Sequence, residues 1–113
     1  MAKYETALQG NFDQLLDKIH AGILNGSLSA SYENGSDWQN EDVRCAVRVY
    51  ERYSYIGKNR VSMSVTLVGS GENLFLTAIT SGGSQAVFFK INTWGEESFL
   101  DKIVEIIESY KRL

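Results

Sequence analysis

With 113 residues the chain is long enough for one packed core and too short for two, so a single domain over residues 1–113 is expected. Its 43% hydrophobic and 22% charged residues exclude a disordered or fibrous protein, and a formal net charge of −3 excludes a general positive field that would draw it onto nucleic acid or anionic lipid. The single cysteine, Cys45, excludes an internal disulfide and cannot make a thiolate metal site alone, which suits a reducing compartment.

Residues 1–10 lack the basic start and apolar run of a signal peptide. No apolar stretch approaches the roughly 20 residues that span a bilayer, so the expected location is the cytoplasm. Tyr4, Thr6 and Leu8 alternate with Lys3 and Glu5, the period of a short strand with one inward face, and Gly10 ends it. Asn11 then caps a helix over Asn11 to Asn25, and Gln14 three residues on completes a capping box. Phe12, Leu15, Leu16, Ile19 and Ile23 form the apolar stripe of that helix, and Gly26 offers a left-handed stop. Leu28, Ala30 and Tyr32 alternate as a second strand. The stretch Glu33 to Asp42 gathers Asn, Gly, Ser and Asp around Trp38 and reads as a long loop.

Val43 to Tyr55 is the clearest strand. Val43, Cys45, Val47 and Val49 take one side, expected to face the core, and Arg44, Arg48, Tyr50 and Arg52 take the other. A glycine-containing turn at Ile56 to Asn59 leads to a strand in which Val61, Met63, Val65 and Leu67 alternate with Ser62, Ser64 and Thr66. Gly69 to Asn73 makes a tight connection, and Leu74 to Thr80 is apolar on both faces, so both need cover. Ser81 to Ser84 turns the chain into a last strand, Gln85 to Ile91. Thr93 with Glu96 then forms a second capping box. On the final helix, Glu96 to Arg112, the residues Phe99, Leu100, Ile103, Val104, Ile106, Ile107 and Tyr110 cover about half the circumference.

This order predicts an α+β fold: a two-layer sandwich with a curved antiparallel sheet of five to six strands and two helices (β-α-β4 or β5-α, helix-grip or TATA-binding-protein-like). Fold class alone assigns no activity. The strings Arg48 to Tyr55 (RVYERYSY), Asn59 to Ser62 (NRVS) and Thr77 to Glu97 (TAITSGGSQAVFFKINTWGEE) resemble a small bacterial family catalogued only as a domain of unknown function. The similarity runs over nearly the whole chain and carries no catalytic residue, ligand or cofactor with it.

Several residues invite a functional reading, each beside a plainer one. Arg44, Arg48 and Arg52 recur every fourth residue, so in a strand they share a face over about 13 Å with Tyr50 among them. That is an anion-binding strip, or else a solvated sheet face whose arginines pair with carboxylates across strands. Ser81 to Gln85 (SGGSQ) is a hairpin turn or, with Ser84 and Gln85, a nest of backbone amides for an anion. His20 has no acidic or thiol neighbour at metal spacing and reads as a rim histidine, and Cys45 reads as a buried small hydrophobe. Glu51 falls in the apolar register of its strand, which a bulge or strand end would explain. Trp38, Trp94 and the tyrosines at 50, 53 and 55 either fill the core or line a pocket.

No nucleophile with its base, carboxylate pair or metal cluster stands out, so a non-catalytic protein with no cofactor is expected. The first expectation is a module that binds a small, partly apolar or anionic ligand in the groove between the sheet and the C-terminal helix. The alternative is a protein interaction or self-association module, a homodimer included, that uses an exposed sheet face carrying Arg44, Arg48, Tyr50 and Arg52 with Leu74, Leu76 and Ala78. Neither nucleic acid nor membrane is an expected partner.

Overall fold

The computed structural model describes residues 1–27, 29–54, 59–82 and 89–112, and the side chains of all of these except 54, 59 and 89–94. The chain runs β1 (Ala2–Gln9), α1 (Phe12–Asn25), β2 (Ala30–Asn40), β3 (Val43–Ser54), β4 (Asn59–Ser70), β5 (Asn73–Gly82) and α2 (Phe89–Lys111). The strands form one sheet in the order β1-β5-β4-β3-β2, antiparallel throughout. This is the expected two-layer β-α-β4-α arrangement, with five strands and both helices on one side.

Alternation sets the core. Val61, Met63, Val65 and Leu67 of β4 and Leu74, Leu76 and Ala78 of β5 are buried against Leu15, Ile19 and Ile23 of α1 and Phe99, Ile103 and Ile107 of α2. Asn11 caps α1 by accepting from the Gln14 amide at 2.9 Å. The second half of that capping box is rerouted: the Tyr110 hydroxyl accepts from the Asn11 amide at 2.9 Å and donates to Gln14 Oε1 at 3.1 Å. At the other end Gly26 stays in the right-handed region, φ −84°, and its amide returns to Gly22, so the helix closes without the left-handed residue expected.

Three expectations about elements need correction. Glu33 to Asp42 is mostly strand, because β2 extends to Asn40 as a polar edge strand, and a two-residue turn, Glu41 and Asp42, joins it to β3. Polar composition misleads at an edge, where one side of the backbone meets water and side chains need bury little. The last strand expected at Gln85 to Ile91 does not form over its end: residues 89–91 belong to the first turn of α2, and Ser84 and Gln85 lie outside the described residues. Thr93 and Glu96 are therefore inside the helix, with the buried Glu96 carboxylate 2.9 Å from the Met1 amine.

The largest correction concerns β3. Tyr50 pairs with Met63 and Ala46 with Leu67, so Arg44, Ala46, Arg48, Tyr50 and Arg52 share the helix side of the sheet. Val43, Cys45, Val47 and Val49 point to the opposite face, which no described element covers. Glu51 keeps their register with no bulge in β3. It is tolerated because that face is open, where it pairs with Arg60 at 3.1 Å and accepts from Ser62 at 3.2 Å. The patch imagined from the arginines with Leu74, Leu76 and Ala78 is accordingly not exposed, since those three are core residues.

Candidate functional site

On the helix side, α1 and α2 lie over β1, β5 and β4 and leave the β2–β3 margin only partly covered. Along it the three arginines reach three different elements. The Arg44 guanidinium lies 4.2 Å above the Phe12 ring and pairs with Asp13 of α1 at 2.8 Å, which holds the Asp13 carboxyl below its usual range and raises the guanidinium. Arg48 binds Asp37 of β2 through Nη2, at 2.9 and 3.3 Å, and donates Nη1 to the carbonyls of Val47 and Ser36 at 2.9 and 3.3 Å. Arg52 lies 4.9 Å over Phe99 and donates to the Gly95 carbonyl of α2 at 3.3 Å, with burial lowering its pKa. They act as three clamps along one strand. Arg48 and Tyr50 come together, whereas Arg44 and Arg52 stand at opposite ends.

Beside Arg48 the margin carries an aromatic cluster. Tyr32 of β2 pairs directly with Tyr50 of β3, their rings 5.8 Å apart. His20 of α1 stands 5.4 Å from Tyr32, edge to face, and 5.7 Å from Tyr50. Tyr50 is fully buried, and that burial pushes its pKa up to about 12. Its hydroxyl therefore keeps its proton and lies 3.0 Å from His20 Nδ1. When the phenol donates to Nδ1, the imidazole hydrogen resides on Nε2, on the far side of the ring.

The register shift between Tyr32 and Asn34 brings Gly35 opposite Arg48. A Cβ on Gly35 would lie 2.6 Å from the Tyr32 hydroxyl and 2.8 Å from the Val47 carbonyl, so only glycine lets Tyr32 and Arg48 approach this closely. Between Leu16, Asp17 and His20 on α1 and Tyr32, Asp37 and Arg48 on the sheet lies an open recess of about 310 Å³. A larger opening of about 530 Å³ by the start of α1 and a smaller one of about 150 Å³ by Arg44 and Trp38 carry no comparable cluster of rings.

Arg48 and Tyr50 were singled out from sequence, whereas His20 read as a rim residue and Tyr32 as part of a strand. What joins them is the bulge in β2 and the seat of α1, which periodicity does not reveal. Trp38 and Tyr53 are exposed on the other sheet face rather than lining this recess. The side chains of Trp94 and Tyr55 lie outside the described residues. Cys45, expected inside, is a half-exposed free thiol on the open face. Among the described residues no group of His, Cys, Asp and Glu is arranged to hold a metal ion, and no helix is long and apolar enough to cross a membrane.

No curated protein and no solved structure matches the chain. The model of the Family of unknown function (DUF6054) matches residues 1–111, nearly the whole length and every element described above. The chain is a member of that family.

Proposed function

We propose that the protein is a cytoplasmic, non-catalytic binding module that holds a small, partly apolar ligand in the recess between α1 and the β2–β3 margin. The observation that carries this reading is the His20–Tyr50 pair: a fully buried phenol holds its hydroxyl 3.0 Å from Nδ1 of the ring that lines the recess, and with the phenol as donor Nε2 carries the imidazole hydrogen and can donate to a ligand's acceptor. Small-ligand sites combine ring surfaces with a few convergent polar groups in a concavity of at least about 300 Å³. Here Tyr32, 44% exposed, supplies the ring surface.

The place differs from the groove expected under the C-terminal helix, where Phe99, Ile103 and Ile107 are buried in the core. The preferred charge differs too. Arg48 is already neutralised by Asp37, and Asp17 adds a negative group, so the recess suits a neutral flat molecule with a hydrogen-bond acceptor better than an anion. The free thiol of Cys45 fits a reducing cytoplasm.

Titrating isotope-labelled protein with indole or benzamide as ring probes, at about 1 mM to reach fragment-strength binding, tests the reading by amide NMR. Shifts should cluster at Leu16, His20, Tyr32 and Arg48 and vanish in His20→Ala. Shifts scattered elsewhere, or equally strong in His20→Ala, would overturn it.

A further inference from the structure

Among the described residues nothing lies over the face of the sheet turned away from both helices, and its residues are set out in cross-strand rows. One row runs Trp38, Cys45, Val68, Phe75 across β2, β3, β4 and β5. Beside it lie Ser36, Val47, Thr66, Thr77 and then Asn34, Val49, Ser64, Ile79. Trp38 at the β2 end of the first row is 57% exposed, and Phe75 and Ile79 at the β5 ends are 41% and 39% exposed, all on this same face with the half-buried Cys45, Val47, Val49 and Val68 between them. These three rows contain no Asp, Glu, Lys or Arg. Charges stand at the rim: Lys3 pairs with Glu5 at 3.5 Å and Glu51 with Arg60 at 3.1 Å, while the carboxylates of Glu33 and Asp42 accept from Ser31 and Ser70. An apolar, uncharged centre inside a polar rim is the anatomy of a protein interface.

We infer that this face is covered by a second copy of the chain, in a two-fold dimer of sheets packed face to face. Area is the first argument. Four strands of 10 to 12 residues, about 4.8 Å apart and rising about 3.3 Å per residue, present roughly 700 Å², close to the roughly 800 Å² per partner of a stable interface. Charge is the second. A neutral centre meets its own copy across a two-fold axis without repulsion, whereas a strongly acidic or basic partner finds no complementary charge there. Relief is the third: small Ser64 and Thr66 of β4 form a trough between the valines of β3 and Phe75 and Ile79 of β5, so one copy's large side chains can seat in the other's trough. At the β2 edge, side-by-side sheet extension is discouraged, because that edge is polar and bulged.

Sedimentation velocity of the full chain tests this up to roughly 300 µM, where a dimer of micromolar Kd is saturated. The expected species weighs twice the 12.7 kDa chain. Phe75→Lys and Val47→Lys, both at exposed or half-exposed positions, should weaken dimerisation by at least about 100-fold while leaving far-ultraviolet circular dichroism unchanged. Trp38 emission should shift to the blue on association in the parent chain and stay red in both variants. A monomer at the highest concentration overturns the inference and leaves the face to a different macromolecule. A dimer that survives both lysines also overturns it, by placing the contact elsewhere. Neither outcome touches the α1 recess, which the ring probes report on separately.

Discussion

Glu41 holds a backbone conformation that side chains resist, with φ at 55°. It is the first residue of the β2–β3 turn. Gly71, first in the equivalent two-residue β4–β5 turn, takes nearly the same φ, 59°, with no Cβ to clash. The left-handed region costs a side-chain-bearing residue roughly 1–2 kcal/mol, and glycine gives part of that back through a freer unfolded chain. Glu41→Gly should therefore stabilise the fold by about 0.5–1 kcal/mol, seen as a higher urea midpoint at unchanged slope; a lower midpoint would contradict the strain. At this scale local chemistry was legible where partners are close in sequence. The Asn11 cap and its Gln14 partner could be read directly, but the Tyr110 hydroxyl that inserts itself between them is almost a hundred residues away. His20, Tyr32 and Tyr50 were hidden for the same reason: each is ordinary in its own neighbourhood, and only tertiary packing makes them one cluster.

Elements with a strong period were legible, and so was the facing of α1 and β4, but that of β3 was not. The stripe of α1, the alternation of β3 and β4 and the breadth of α2 all correspond to observed elements. For β3, hydrophobicity alone puts the valines inside. The structure puts them outside, because Ala46 and Tyr50 are the residues that meet β4's core side chains while the long arginine stems lie against Phe12 and Phe99 with their charged ends at the margin. Two adjacent residues separate the alternatives. Ala46→Lys buries an ammonium under the helices and should cost more than about 4 kcal/mol, whereas Val47→Lys in the monomer should cost less than about 1 kcal/mol. Chemical denaturation of the two variants checks this, and the reverse order would return the valines to the core. The start of β2 at Ala30 and Tyr32 was legible, and its continuation from Glu33 to Asn40 was not, because an edge strand with a bulge needs little apolar alternation to persist.

At the scale of the whole molecule, ionisable groups at the joins between elements shape stability against pH. The Tyr4 hydroxyl donates to Glu108 at 2.8 Å, and Lys111 lies 3.4 Å from the same oxygen, so the Glu108 carboxyl is held below its ordinary 4.5. Arg44 holds Asp13 below 3.8. As pH falls through these ordinary values the unfolded chain takes up protons that the fold refuses, so stability present above about pH 4.5 is lost on acidification. At the alkaline end the sign reverses in proton terms. Tyr50, by burial, and Tyr4, by burial and its bond to Glu108, keep their protons to about 12 against an ordinary 10.0. Between those values the unfolded chain releases protons the fold retains, and stability falls as pH rises. Urea midpoints followed across pH should show a plateau with a decline on each side. Tyr50→Phe should make the alkaline decline shallower, and a midpoint steady from about pH 8 to 12 would contradict the assignment.

Among the described residues the first strand finds its only neighbour in β5, with Gln9 opposite Asn73, and its cover in α2, where Tyr4 meets Glu108. During translation, then, β1 leaves the ribosome with neither companion yet made, and Tyr4 must wait for a partner that follows 104 residues later. Synthesis and folding are thereby separated in time, and a nascent chain stalled before α2 exposes the apolar side of its sheet to whatever chaperone or protease arrives first.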